Sequence, residues 1–326
     1  MKHTFKITLV ILAMFLLAQF LGLFIVSVYQ SQENKLPFNM EPPPEFDQEK
    51  DSVKFLPSIL IAFIFAITLF FVLTKINAEK FIKIWFFLVA SLAMGIALKA
   101  FYLFIWKDYY LIFSILSQPI VLSIVSIGFF AIALYFAYLK IFKRYILIHN
   151  ITELLIYPGI AAVFISILGV IGIIILLLLI SLYDIWAVWH SNFMEKMANY
   201  QINNLKFFTG FFIPYASKQE KQKIKNIKEK YSEKSEKFLE EKFKRAKIKV
   251  NLAILGGGDI IFPIITAGVF IKVFGSVIPG LVISVFSTVA LFALFLLARK
   301  GKFYPAMPFL TIGIYLAMIF NWLFVV

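Results

Sequence analysis

Two aspartates lie inside apolar stretches of this chain. One is Asp184, in Ser181-Leu182-Tyr183-Asp184-Ile185-Trp186; the other is Asp259, in Leu255-Gly256-Gly257-Gly258-Asp259-Ile260-Ile261-Phe262-Pro263. No other Asp or Glu reads as well inside an apolar stretch. A charged side chain at the centre of a membrane helix costs roughly 2.5–3.5 kcal/mol on insertion scales, so each marks a functional site. Two carboxylates a few ångströms apart cannot both ionise easily and titrate as a pair sharing a proton. The deprotonated one can take a proton from water while the protonated one donates to a scissile carbonyl oxygen, which is aspartic-protease chemistry. The glycines Gly256, Gly257 and Gly258 remove side chains and weaken the helix before Asp259, so that a substrate segment or a partner helix can approach. A substrate held partly unwound by backbone pairing with an extended segment would expose peptide bonds that a helix shields.

The elements that must position these residues follow from composition. Of 326 residues, 61% are hydrophobic and 15% charged, against roughly 25% charged in a soluble domain. The fold class is an all-α polytopic protein of the cell membrane. Without cysteine, disulfides, thiolate metal sites and cysteine nucleophiles are excluded. His3, His149 and His190 each fall near an expected membrane edge, which makes no histidine-rich metal site. No cofactor motif is present, and the two-carboxylate mechanism needs neither cofactor nor metal. The net charge of +14 fits a positive-inside bias and contact with anionic lipid, not a nucleic-acid partner. Abundant Phe, Ile and Lys point to an AT-rich prokaryotic genome.

Nine spans are expected. Six, at about 7–28, 55–73, 84–105, 112–139, 152–168 and 171–190, form an N-terminal part over residues 1–190. The apolar block 154–190 would be ~55 Å long as one helix, against a bilayer core of about 30 Å, so it divides near Gly169 and Gly172. A basic loop, 191–249, carries 15 Lys/Arg against seven Asp/Glu. Three spans, at about 250–273, 278–298 and 304–325, complete a C-terminal part over 250–326. The loops 75–83, 140–150, 191–249 and 299–303 are net positive and face inside, while the acidic 30–54 loop faces outside. The N-terminus is therefore cytoplasmic and the C-terminus outside.

On that topology Asp184 lies ~9 Å and Asp259 ~15 Å from the inner boundary at a helical rise. Both belong to the inner half of the membrane on an antiparallel pair. The Tyr304-Pro305-Ala306-Met307-Pro308-Phe309 opening of the ninth span falls in the same layer.

Tyr183-Asp184, Gly256-Gly257-Gly258-Asp259 and Pro305-Ala306-Met307 resemble the YD, GxGD and PAL motifs. These belong to the presenilin and signal peptide peptidase family of intramembrane aspartyl proteases, which have nine spans. GxGD alone also marks prepilin peptidases; the three motifs in order do not. The run Gly258-Asp259-Ile260-Ile261-Phe262-Pro263 is similar to the peptidase branch, whereas the N-in orientation resembles presenilin. The one departure is Met307 where the motif has Leu, a nearly volume-conserving change. The resemblance implies a prokaryotic, archaeal-type member that cleaves transmembrane helices with Asp184 and Asp259. Tyr183, Gly256, Gly257, Gly258, Pro305, Ala306 and Met307 would line the site. It also implies substrates with outside N-termini, and leaves open whether the 191–249 loop is self-cleaved. Partner subunits and a homo-oligomer stay open.

Each feature has a plainer reading. Asp184 alone is as readily a structural carboxylate bonded to a neighbouring helix. Tyr183 is by default a packing aromatic, the glycines close helix contacts, and Pro305 a helix start. Apolar Ile224, Ile227, Tyr231, Phe238 and Phe243 recur amid Lys and Glu as in an amphipathic helix on a lipid surface. Phe207 to Pro214 is too short to span and is expected in the interface. The functional alternative is a proton- or cation-coupled transporter using the same carboxylates. It predicts internal repeats, which this sequence lacks.

Overall fold

Long apolar runs whose backbone polar groups must be satisfied internally become helices, and the computed structural model bears this pattern. It describes residues 5–30, 49–76, 78–105, 119–143, 145–190, 197, 200–205, 209–216, 218–230, 250–298 and 304–325. In order these form α1 (Phe5–Gln30), α2 (Glu49–Lys75), α3 (Glu79–Ile105) and α4 (Pro119–Tyr138), which runs into a π-helical turn, Leu139–Lys143. Then come α5 (Ile146–Ile167), α6 (Val170–Trp189), β1 (Gly210–Ala216), α7 (Lys218–Lys230) and β2 (Val250–Gly256). The chain ends with α8 (Gly257–Phe274), α9 (Val277–Leu297) and α10 (Met307–Phe324).

Among the described residues, seven helices are long and apolar enough to cross a membrane: α1, α3, α5, α6, α8, α9 and α10. The protein is therefore a polytopic, largely helical membrane protein. Helices α2 and α4 overlie the second and fourth expected spans. Residues 106–118, where the fourth was expected to begin, lie outside the described residues, as do Tyr231, Phe238 and Phe243.

Three boundaries differ from expectation. Helix α5 starts at Ile146 instead of 152, which takes His149 into the helix and sets Glu153 well inside it instead of at its edge; both are buried. The turn into α6 falls at Leu168 and Gly169, leaving Gly172 inside α6. The seventh span does not begin as a helix. Residues 250–256 are β2, antiparallel to β1, in register from Gly210 opposite Gly256 to Ala216 opposite Val250. The run Val-Asn-Leu-Ala-Ile-Leu is too short for its period to separate strand from buried helix, and the Phe-Phe-Ile segment of β1 offers it a partner. Thus Ile213 and Pro214, expected at an interface, belong to a ribbon. The depth assigned to Asp259 fails with it, because most of the residues from Lys249 are extended rather than helical.

Helix α8 is the hub, packed by α1, α5, α6, α9 and α10. Ile260, Ile264, Ala267 and Val269 on it have no exposure. Small residues bring the surrounding helices close: Gly22 of α1 faces Ile264, Gly280 of α9 faces Ile271, and Gly159 of α5 meets the Ala93 backbone of α3. Helix α1 also donates into the hub, Gln19 Nε2 to the Ile260 carbonyl at 3.1 Å and Gln30 Nε2 to that of Gly268 at 3.1 Å. Gly275, with φ 64°, closes α8 in the left-handed conformation glycine favours.

Candidate active site

Asp184 sits on α6, 5% exposed, and its Oδ2 accepts the backbone N–H of Met307 at 3.0 Å. Met307 opens α10, and Ala306 before it makes no side-chain cap. The first amides of a helix lack intrahelical partners and carry the positive end of its dipole. The Asp184 carboxylate supplies the missing cap from another helix, with the Ala306 N–H also facing it. Pro305 and Met307 are buried here and Ala306 half-buried.

The α6–α10 pairing continues away from the carboxylate. Ser181 Oγ and Thr311 Oγ1 are hydrogen-bonded at 2.7 Å in the buried interface, and the Tyr315 hydroxyl donates to the Ile174 carbonyl at 2.7 Å. Met307, Thr311 and Tyr315 are four apart, so one face of α10 carries all three contacts. Sequence reasoning missed Ser181, Thr311 and Tyr315, since a lone hydroxyl in a span commonly bonds its own helix. Tyr183 is half-buried beside Asp184, its ring 6.3 Å from that of Trp186.

Asp259 is in the first turn of α8, after Gly256 as the extended N-cap. A carboxylate suits that end of a helix. Pro263 lies one turn later and has no N–H for the Asp259 carbonyl. Helices α6 and α8 pack together, which puts Asp184 and Asp259 within electrostatic reach of each other. Among the described residues no three His, Asp or Glu side chains converge as a metal site would.

The three glycines are not equivalent. A Cβ on Gly256 would stand 3.2 Å from Asp259 Oδ2, and one on Gly257 would stand 3.0 Å from Tyr157 Cε1. On exposed Gly258 it would meet nothing closer than Phe262 Cε2 at 3.8 Å. Two glycines therefore make room for the protein's own side chains, and Gly258 alone of the three could carry a Cβ without crowding a neighbour.

The ribbon that delivers Asp259 is anchored on α5. Asn150 pairs with the Phe212 backbone both ways, Nδ2 donating to its carbonyl at 2.7 Å and Oδ1 accepting its N–H at 2.9 Å. His149 Nε2 lies 2.8 Å from the Gly210 carbonyl, and its ring stacks on Phe212 at 4.8 Å. The Gly257 N–H donates to the Thr209 carbonyl at 3.2 Å, carrying the ladder to the first residue of α8.

Two carboxylates thus lie on spans that pack together, one of them capping a third helix. The family model described as signal-peptide peptidase, presenilin aspartyl protease matches residues 12–325. This chain belongs to that family. It is a multi-pass membrane protein and an intramembrane aspartyl protease, which sets aside the transporter alternative. No curated protein matches it. Its fold is similar to that of a presenilin family intramembrane aspartate protease solved in space group C222. That likeness has a TM-score of 0.56 at 17% identity, covering 96% of this chain and 97% of the other. A structure in P2 gives 0.55 at 19% identity, covering 95% of each chain.

Proposed function

We propose that this family member hydrolyses peptide bonds within transmembrane helices of other proteins, with Asp184 and Asp259 as its catalytic pair. The observation that carries the reading is their placement: two carboxylates on spans that pack together, within electrostatic reach of each other, one accepting the Met307 N–H. In the reaction one carboxylate takes a proton from the attacking water as its oxygen bonds to the scissile carbonyl carbon. The other carboxyl protonates the carbonyl oxygen. The first, now protonated, then gives its proton to the amide nitrogen while the second takes one back from a hydroxyl of the intermediate, and the C–N bond breaks.

Nine spans fit this assignment: α1–α6 over residues 1–190 and α8–α10 over 250–326, with the N-terminus inside and the C-terminus outside. The 191–249 segment, with β1 and α7, then lies on the cytoplasmic side. Strand β2 has β1 on one edge and no strand on the other among the described residues. An unwound substrate segment would add to that edge and run up to Asp259 past the open Gly258. Tyr183, Pro305 and Ala306 would line its path, and Met307 would pack beneath.

The test is to incubate purified protein in bilayers with labelled single-span peptides and map product termini by mass spectrometry. The reading expects cuts inside the span, blocked by a peptide isostere carrying a hydroxyl at the scissile position. Cuts confined to residues outside the span would contradict it.

A further inference from the structure

A further carboxylate, Glu153, is buried and takes no part in the reading above. Lys140 Nζ lies 2.7 Å from Glu153 Oε1, the two side chains only 4% and 1% exposed. His149 Nε2 is 3.7 Å from the same oxygen. His149, Glu153 and Tyr157 follow one another at intervals of four on α5, so they share a face. That face meets the β1 ribbon, through His149 at one end and through Tyr157 at the other, whose ring packs edge-on against Phe211 at 5.5 Å.

The Tyr157 hydroxyl is the anomaly on this face. Tyr157 is 1% exposed, and its hydroxyl has no hydrogen-bond partner of ordinary geometry, although the Glu153 carboxylate is near enough for a longer, weaker one. Phenylalanine would fill the same space without leaving a buried donor unsatisfied. The hydroxyl is 3.4 Å from where Gly257 would carry a Cβ, and Asp259 Oδ2 is 3.2 Å from the same point on Gly256. The two groups thus flank consecutive residues of one strand-to-helix junction, within electrostatic reach of each other. Lys140 meanwhile donates to Oε1 of the neighbouring Glu153.

We propose that Tyr157 is a positioning residue for Asp259, its hydroxyl without a well-formed hydrogen bond at rest and donating to the Asp259 carboxylate when substrate is engaged. The inference rests on Asp259 belonging to the catalytic pair. It also explains why Gly257 must be glycine: a side chain there would push the phenol off the junction.

Tyr157→Phe keeps the ring and removes only the hydroxyl. With a single-span peptide, kcat should fall about tenfold with KM unchanged, the loss expected for one hydrogen bond to a charged group. The Tm should stay level or rise, because an unsatisfied buried hydroxyl has gone. A purely structural tyrosine would give the opposite, a lower Tm with kcat retained, and would overturn the proposal. A second readout does not depend on turnover. In protein labelled with 13C at Asp carboxyls and bound to the hydroxyl isostere, the Asp259 resonance is assigned by its loss in Asp259→Asn. It should move between wild type and Tyr157→Phe; superimposed resonances would overturn the proposal. If Asp259→Asn cleaved as well as wild type, the catalytic pair would fail instead, and the resonance comparison would still decide whether the hydroxyl reaches Asp259.

Discussion

The Met307 N–H donates to Asp184 Oδ2 at 3.0 Å across the α6–α10 interface. This contact joins the third motif to the first through the backbone, so the Met307 side chain is free to answer to packing alone. That accounts for methionine standing where the family motif has leucine.

Met307→Leu should therefore change stability by less than about 1.5 kcal/mol, as volume-conserving swaps do. Met307→Ala keeps the N–H but empties a site only 4% exposed, and should cost about 2–5 kcal/mol. Thermal unfolding of both variants in detergent checks the difference. Residual cleavage by Met307→Ala should follow the folded fraction.

Ser181 and Thr311 hold the same interface one turn from the carboxylate, at 2.7 Å. A double-mutant cycle of Ser181→Ala and Thr311→Val should give a coupling energy of about 0.5–1 kcal/mol, the usual size for hydroxyl pairs between membrane helices. Additive effects would mean that the two hydroxyls do not bond in the bilayer.

The glycine series separates room for the protein from room for substrate. Gly257→Ala meets buried Tyr157 at 3.0 Å and should lower stability by about 1–3 kcal/mol. Gly256→Ala presses on Asp259 Oδ2 at 3.2 Å, so cleavage should fall while the fold survives. Gly258→Ala meets nothing closer than 3.8 Å and should leave Tm unchanged, with any effect confined to KM.

Lys140 and Glu153 form a buried ion pair at 2.7 Å. Glu153→Gln, which strands a buried ammonium, should cost about 3–5 kcal/mol, whereas Lys140→Met combined with Glu153→Leu should recover most of that loss. Chemical denaturation of the single and double variants tests the ordering.

Much of the site was legible because burying a carboxylate is expensive. Asp184 and Asp259 stood out against apolar surroundings, and the order of the motifs around them pointed to the family. Glu153 was missed because it fell at the edge of the expected span, where a carboxylate can reach the interface, whereas α5 begins earlier and buries it. The strand at 250–256 was missed because a short apolar run has no period that distinguishes strand from buried helix. The individual roles of Gly256, Gly257 and Gly258 depend on Tyr157, 100 residues before Gly257 in the chain. A tyrosine in an apolar helix carries no signal of what it faces.

The assignment of the catalytic pair is tested most directly by measuring within-span cleavage of one labelled peptide by wild type, Asp184→Asn and Asp259→Asn, with Tm confirming that each is folded. Both substitutions should lower the rate by about 10²–10⁴-fold, the range of a lost general acid or base. Near-wild-type cleavage by either folded variant would contradict the two-aspartate mechanism.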